Sequence, residues 1–459
     1  MLKTRLYTLI IILVLFNQLS AQVELGKALY EKGYVKEAVM YFKEAAEKGD
    51  PQAQNLLAQC YDKGDGVEQD YVAAAEWYEK AAEQGYAEAQ YNIGTCYEFG
   101  EGVFHDNQTA AQWYKKAAEQ GYSAAQNSLA ICYETGKGVD KDYQQMIYWL
   151  QMAANQNYPD ALCNLGLCYE NGKGVDQDYH QAFLWYEKAA RSGLARAQYY
   201  IGNCFMSGLG VEMNYDSGFF WYMQAANQSN PEAQCEVGYC YEYGLGIQHD
   251  MQKAVEWYTK SAKLGNDVAQ CNLGLCLMDG RGIRKDESES FSWISKAASK
   301  GYTEGEYLLG WCHEMGIGTA IDHPKAIEWY KKAMQKGHLG AKCRMAICYG
   351  NGLGLRADKK MAFKLLKEAS DQGFAEAQYL LGQAYMEGNL VKKNITQAKE
   401  LFSMAASNGH ESAIKELEKI NDNERKEEER KERERIIIND KKTGSITDTV
   451  GSPTGAYHK

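Results

Sequence analysis

Positive charge is in short supply in this chain: 50 Lys and Arg stand against 61 Asp and Glu, a net charge of −11. A basic face is the footprint expected of a nucleic-acid partner, so that class is disfavoured. Proline is also scarce, five residues in 459, which excludes a proline-rich extended chain. Beyond residue 16 no apolar run approaches the ~20 residues that a membrane-spanning helix needs. The eight histidines are scattered, and none recurs beside cysteine as a zinc site would require. No metal and no cofactor are expected, and no stable membrane insertion of the mature chain.

The amino terminus stands apart. Lys3 and Arg5 lead into an apolar run of eleven residues, Leu6 to Phe16, closed by Leu19-Ser20-Ala21. That run is too short to span a bilayer but suits a secretory signal over residues 1–21, cleaved after Ala21. The mature chain would begin at Gln22 and be exported, to a periplasm, the cell exterior or a secretory lumen. No cysteine follows the run closely, so a lipid anchor is not expected.

What the chain has in plenty is repetition. Cysteine recurs at 60, 96, 132, 168, 204, 240, 276, 312 and 348, each 36 residues after the last. Alignment at that period gives ten units of equal length over residues 50–409, and a fixed period overrides the length prior for domain number. The unit at 86–121 reads YAEAQYNIGTCYEFGEGVFHDNQTAAQWYKKAAEQG. Its Ala89, Ile93, Cys96 and Tyr97 fall at helical spacings, the apolar stripe of a first helix, helix A. Gly100 and Gly102 follow in a turn suited to positive φ. Asp106 then opens helix B, where its carboxylate can cap the first turn, and all ten units hold Asp or Asn there. Helix B carries Ala110, Trp113, Tyr114, Ala117 and Ala118, and stops near Gly121. The tryptophan recurs in eight units and is expected to anchor each unit to its neighbour. One helix pair cannot bury such a face alone, so the units must stack.

The pattern LGxCYxxGxGV followed by DxxxAxxWYxKAAxxG resembles the Sel-one-like repeat, a relative of the tetratricopeptide repeat, over residues 50–409. The resemblance implies an all-α fold: a right-handed α/α superhelical solenoid of about ten 36-residue helix-turn-helix repeats. It also implies an adaptor or scaffold for protein complexes, with no chemistry of its own. Residues 22–49 look like a shortened first unit acting as a cap. Residues 410–438 read as a charged extension helix, with Glu427–Lys431 and Glu429–Arg433 at i,i+4 spacing. A disordered polar tail, 439–459, is expected after it.

The thiol ladder could be a disulfide framework, a set of metal ligands or core. Equivalent residues of stacked units lie about 8–10 Å apart and point the same way. A disulfide needs Cα atoms within about 7 Å, so successive rungs cannot bridge. Zinc needs four ligands at one point, which the spacing does not offer. The rungs are therefore read as buried small hydrophobes. Cys163, five residues before Cys168, could face Cys132 of the preceding unit, and that pairing stays open. A secreted branch of the resembled family bridges the end of helix B to the next helix A. Here those places hold Ala82 and Ala118, and Gln90 and Gln126, so that bridge does not carry over.

Some secreted members of the family are linked with penicillin binding or β-lactamase activity. Ser412-Ala-Ile-Lys415 matches SxxK and Lys442-Thr443-Gly444 matches KTG. Both lie at or beyond the last unit, and no SDN occurs. A penicillin-interacting or β-lactamase-like protein is accordingly the alternative reading, with self-assembly a third. The paired turn glycines follow no strand, so they do not form a dinucleotide loop.

Ten copies in one chain allow an internal comparison. Three columns of helix A vary freely, those beginning at Asn92, Thr95 and Phe99. Their offsets of 0, 3 and 7 make one stripe along the helix. By resemblance to tetratricopeptide stacks, helix A lines the concave side. Bulky members of the stripe are Tyr200, Tyr239, Tyr243, Leu308, Trp311 and Met315, residue types that interfaces favour. They are the candidate contacts for a protein or extended peptide.

Overall fold

The computed structural model describes residues 19–443. Residues 1–18, which carry the charged start and apolar run of the predicted export signal, lie outside the described residues, as do residues 444–459 of the predicted tail. The chain divides into two compact units, Met1–Asp250 and Met251–Lys459. Every described element in both is a helix.

In the first unit the order is α1 (19–31), α2 (Val35–Glu47), α3 (Pro51–Lys63), α4 (Tyr71–Glu83), α5 (Ala87–Phe99), α6 (Asn107–Glu119) and α7 (Ser123–Thr135). It continues with α8 (Tyr143–Asn155), α9 (Pro159–Asn171), α10 (Tyr179–Arg191), α11 (Ala195–Ser207), α12 (Tyr215–Asn227) and α13 (Pro231–Tyr243). The second unit holds α14 (Met251–Lys263), α15 (Asp267–Asp279), α16 (Glu287–Ser299), α17 (Thr303–Met315) and α18 (His323–Gln335). It ends with α19 (Leu339–Asn351), α20 (Lys359–Ser370), α21 (Ala375–Glu387), α22 (Ile395–Ser407) and α23 (Glu411–Thr443). Odd-numbered helices are helix A of a repeat and even-numbered ones helix B. The first pair, α1 and α2, is joined by a short turn with Gly33 at φ +83°.

The repeat grammar accounts for each boundary. Asp106 accepts from the backbone amides of Gln108 and Thr109 and so caps α6. Asp70 does the same for α4, and Asn214 for α12. At the other end of helix A, Gly100 takes φ +74° and its amide donates to Cys96 O, closing the last turn of α5.

The core is where the structure departs from expectation. The deepest aromatic of helix B is the tyrosine, not the tryptophan beside it. Tyr114, Tyr186, Tyr258 and Tyr330 are among the largest fully buried side chains. Each ring needs room on the facing helix, and a helix A glycine supplies it: a Cβ at Gly94 would sit 2.7 Å from the Tyr114 ring, and one at Gly166 would sit 2.4 Å from Tyr186. The phenol ends its path on a carboxylate of helix A. Tyr114 Oη donates to Glu98 Oε2 at 2.5 Å, Tyr330 Oη to Glu314 at 2.5 Å, and Tyr186 Oη to Glu170. Most of the tryptophans lie half-buried at the edge, with the lysine three residues on laid over the ring. Lys116 Nζ is 3.6 Å from the Trp113 centroid and Lys332 Nζ 3.6 Å from that of Trp329.

Repeats are also joined by side-chain amides. Gln90 Nε2 donates to Ala82 O and Gln126 Nε2 to Ala118 O, both at 3.1 Å. These are the Ala and Gln places at which the resemblance would have implied a bridge, and here a hydrogen bond joins them. Gln120 Nε2 then reaches Gln90 Oε1 at 2.7 Å, extending the ladder. In the second unit Lys336 Nζ and the buried Glu306 carboxylate, 2.7 Å apart, take over the same step. All thirteen cysteines are buried, and no disulfide joins Cys132 to Cys163.

Ala413 stands 36 residues after Ala377, and both are fully buried, so α23 starts as one more helix A. Its first turns cover Phe402 and Tyr379 with Leu417 and Ile420. The helix then runs past the predicted end at 438 to Thr443, and ion pairs such as Lys431–Glu427 at 3.7 Å line its exposed length.

His313 in α17 occupies the column that holds Tyr97 and Tyr133 elsewhere. It is buried, edge-on to Phe291 of α16 with centroids 5.4 Å apart, and its Nδ1 has no partner. Burial holds its pKa below the ordinary 6.5, helped by Lys325 and opposed by Asp322. The folded unit therefore prefers the neutral ring, while the unfolded chain takes up the proton. The stability this contributes is complete above about pH 6.5 and is lost as pH falls through the lower folded value. Urea midpoints of the second unit measured between pH 7.5 and 5 should fall more steeply for the wild type than for His313→Leu. Parallel slopes would refute this.

Candidate interaction surface

The six predicted contact residues divide between the units, three on α11 and α13 of the first and three on α17 of the second. Within the first unit, Tyr239 and Tyr243 stand one helical turn apart on α13. Their rings are 4.5 Å apart between centroids, and they are 43% and 59% exposed. The Tyr239 phenol is raised from its ordinary pKa, by burial first and then by Tyr243, so this ring presents a hydrogen-bond donor at neutral pH. Tyr200 on α11 is different. It is half-buried and stacks on Tyr186 at 5.0 Å, closing the core from above.

On α17, Met315 is 54% exposed and Trp311 is half-buried. Leu308 is 4% exposed and belongs to the core with Cys312 and Ile294. Leu308 is therefore not a surface contact. Other members of its column turn toward the neighbouring helix A: Asn92 Nδ2 donates to Asn55 Oδ1 and Asn164 Nδ2 to Asn127 Oδ1, each at 2.9 Å, and Arg344 lies 3.6 Å from Glu314. The open stripe consists of the other two columns.

Sequence reasoning passed over a cavity beside that stripe. It lies between α7, α8 and α9, where Leu150 interrupts the run of helix B tyrosines and Glu134 stands at the mouth. The signal was Trp149-Leu150 in place of Trp-Tyr.

Reactive candidates fare otherwise. Burial pushes the thiols up, Cys60 to about 11 and Cys168 to about 12, so neither is a thiolate at neutral pH. Ser412 and Lys415 of the SxxK match are both exposed on the first turns of α23, with no dry pocket of the kind a nucleophile and its base need. Lys442 and Thr443 end that helix, and Gly444 lies outside the described residues. Among the described residues no group of His, Cys, Asp and Glu is arranged to hold a metal ion, and no helix is long and apolar enough to cross a membrane.

Helix pairs stacked at a fixed period, with a conserved grammar of caps inside and varied side chains along one face, define an α/α repeat solenoid, a protein-interaction scaffold by type. Eleven consecutive segments match the Sel1 repeat model, from residues 19–50 through 51–86 and onward to 375–410. The chain belongs to the Sel1 repeat family. The segment at 19–50 is matched as well, one more than the ten of strict length. Among solved structures, the chain is similar to a protective antigen present in uropathogenic Escherichia coli strains and displaying an SLR fold. The two are 30% identical over 84% of this chain and 90% of that one, with a TM-score of 0.52. It is also similar to a Sel1 repeat protein from Oxalobacter formigenes, 33% identical over 52% of this chain and 96% of that one, with a TM-score of 0.49. A comparison with curated proteins gives no match.

Proposed function

We propose that this chain is an exported, non-enzymatic adaptor that binds a protein or extended peptide on the helix A face. The observation that carries the reading is the pair Tyr239 and Tyr243. Two large rings are open to water one turn apart, in two of the columns that vary between repeats. Tyrosines of this kind dominate binding energy when a partner covers them. In the second unit Met315 is the contact and Trp311 its support. Export rests on Lys3, Arg5 and the run from Leu6 to Phe16.

The test is affinity capture from an extract of the producing organism, with mature chain from Gln22 as bait beside the double variant Tyr239→Ala, Tyr243→Ala. A protein held by the first and lost by the second, with unchanged circular dichroism, is the expected result. Identical capture by both baits would move the site off this face. If neither bait retains any protein, the adaptor reading fails.

A further inference from the structure

The Tyr–Glu pairs of the core supply a template. Tyr114 donates to Glu98, Tyr186 to Glu170 and Tyr330 to Glu314, in each case from helix B to helix A of the same repeat. Three other repeats lose the tyrosine and the carboxylate together: Ile294 goes with Met278, Phe402 with Met386, and Leu366 with Gly350. Two repeats depart from this: that of α11 and α12 keeps Tyr222 with Met206 in the carboxylate place, Tyr222 donating to Asn203 instead, and that of α7 and α8 does the converse. It has Leu150 in the tyrosine place yet keeps Glu134 in the carboxylate place.

The consequence is a cavity of about 130 Å³ over Leu150 and Met146, opening between Ile131 and Leu167. In the next repeat, where Tyr186 is present, the corresponding space is only about 30 Å³. Glu134 at the mouth is held by Lys173, whose Nζ donates to Oε1 at 2.8 Å, and Oε2 is left for a second donor. An engineered apolar cavity of roughly this size admits benzene.

We propose that this cavity is a binding site for a phenol side chain, a tyrosine of the bound partner whose hydroxyl donates to Glu134 as Tyr114 and Tyr186 donate to their own carboxylates. The assignment of the phenol to a partner protein rests on the adaptor reading; the chemistry of the site does not. An aliphatic side chain would fill the floor but cover Glu134 Oε2 without giving it a donor, which is costly. A lysine would set its charge against Lys173. A ring carrying one hydroxyl meets both demands.

The experiment uses the mature full-length chain and two small probes, p-cresol and toluene, followed by methyl NMR at Met146, Ile131 and Leu167. Saturable shifts with p-cresol are expected, with Kd on the order of 1 mM for so small a ligand. Toluene should bind at least about threefold more weakly, as a single charge-assisted hydrogen bond implies. Glu134→Gln should abolish that preference while toluene binding stays. Leu150→Tyr should abolish both by filling the cavity from within. The α19–α21 cavity, also about 130 Å³, has Leu366 but Gly350 in place of the glutamate, and the Glu387 in its lining already accepts from Asn389 Nδ2; its preference for p-cresol should be the smaller. No p-cresol shifts at the three methyls, or shifts that survive Leu150→Tyr, overturn the site. Equal affinity for the two probes overturns the role of Glu134, and that result is readable even if Leu150→Tyr does not fold. A chain that captures a protein partner but ignores p-cresol keeps the adaptor function and loses this site. One that binds p-cresol and captures nothing does the reverse.

Discussion

Replacing Tyr186 with alanine is expected to lower the stability of the first unit by about 3–5 kcal/mol, the range for removing a buried aromatic side chain. The ring is 1% exposed, lies over Gly166 where no Cβ could stand, and is roofed by Tyr200. Two neighbours therefore lose contacts at once, and neither helix can close the gap without sliding. Tyr186→Phe isolates the hydroxyl. It keeps the ring and removes only the bond to Glu170, an effect of about 1.5–3 kcal/mol for a hydrogen bond to a charged group. Burial and then Glu170 push the phenol pKa far up, so the ring remains the donor throughout the accessible pH range. Trp185→Ala is the internal comparison, because Trp185 is only half-buried. It should cost less than Tyr186→Ala, about 1–2 kcal/mol by area. Hydrogen exchange across α9 to α11 is the right readout, since a repeat array opens locally before it unfolds globally. If Trp185→Ala opened these helices as readily as Tyr186→Ala, the tryptophan would carry as much of the packing as the tyrosine.

The depth of the tyrosine beside the tryptophan shows where sequence reading reaches its limit. The period, the two helices per repeat, the Asp or Asn cap and the turn glycines were all legible because each was written nine or ten times. Which of two adjacent aromatics faces inward was not. Neighbours on a helix point about 100° apart, so both fit an amphipathic stripe. The deciding feature is the helix A glycine opposite Tyr186, which acts across the helix pair and leaves no local mark. The contact stripe fails for a similar reason. Leu308 and Trp311 sit at offsets 0 and 3, about 60° apart around α17. That rotation is enough to take Leu308 from the open face into the contact between neighbouring helices A, where Asn92 and Asn164 make their bonds. The tyrosines of α13 lie on the remaining columns and stay exposed. Glu134 could be recognised only once the Tyr–Glu pairing was seen elsewhere, since an isolated helix glutamate reads as ordinary surface.

The two glycines of each turn look alike in sequence, yet the structure gives them unequal weight, and their substitution should separate them. Gly100 and Gly102 have nearly the same backbone, φ +74° and +72°. Alanine at either position carries the strain of a left-handed residue, about 1 kcal/mol. A Cβ on Gly100 meets nothing nearer than His105 Cβ at 3.4 Å, so Gly100→Ala should cost little beyond that strain. On Gly102 the same atom would lie 1.9 Å from the carbonyl oxygen of Tyr71 and 2.8 Å from the amide of Val72. Those atoms begin helix B of the preceding repeat, and they are backbone, so no rotamer change relieves the clash. One repeat must shift against the next. Gly102→Ala is therefore expected to cost about 3 kcal/mol or more, with the loss spread over α3 to α6, as for other backbone positions that cannot adapt. The chain itself shows what relaxes this demand: at the corresponding place in the last turn it carries Leu390, which is not at positive φ. Thermal melts of the two variants decide the matter. A much larger fall for Gly102→Ala makes the second glycine the joint between repeats, selected for close approach. Equal falls would mean that both are there only for their backbone angle.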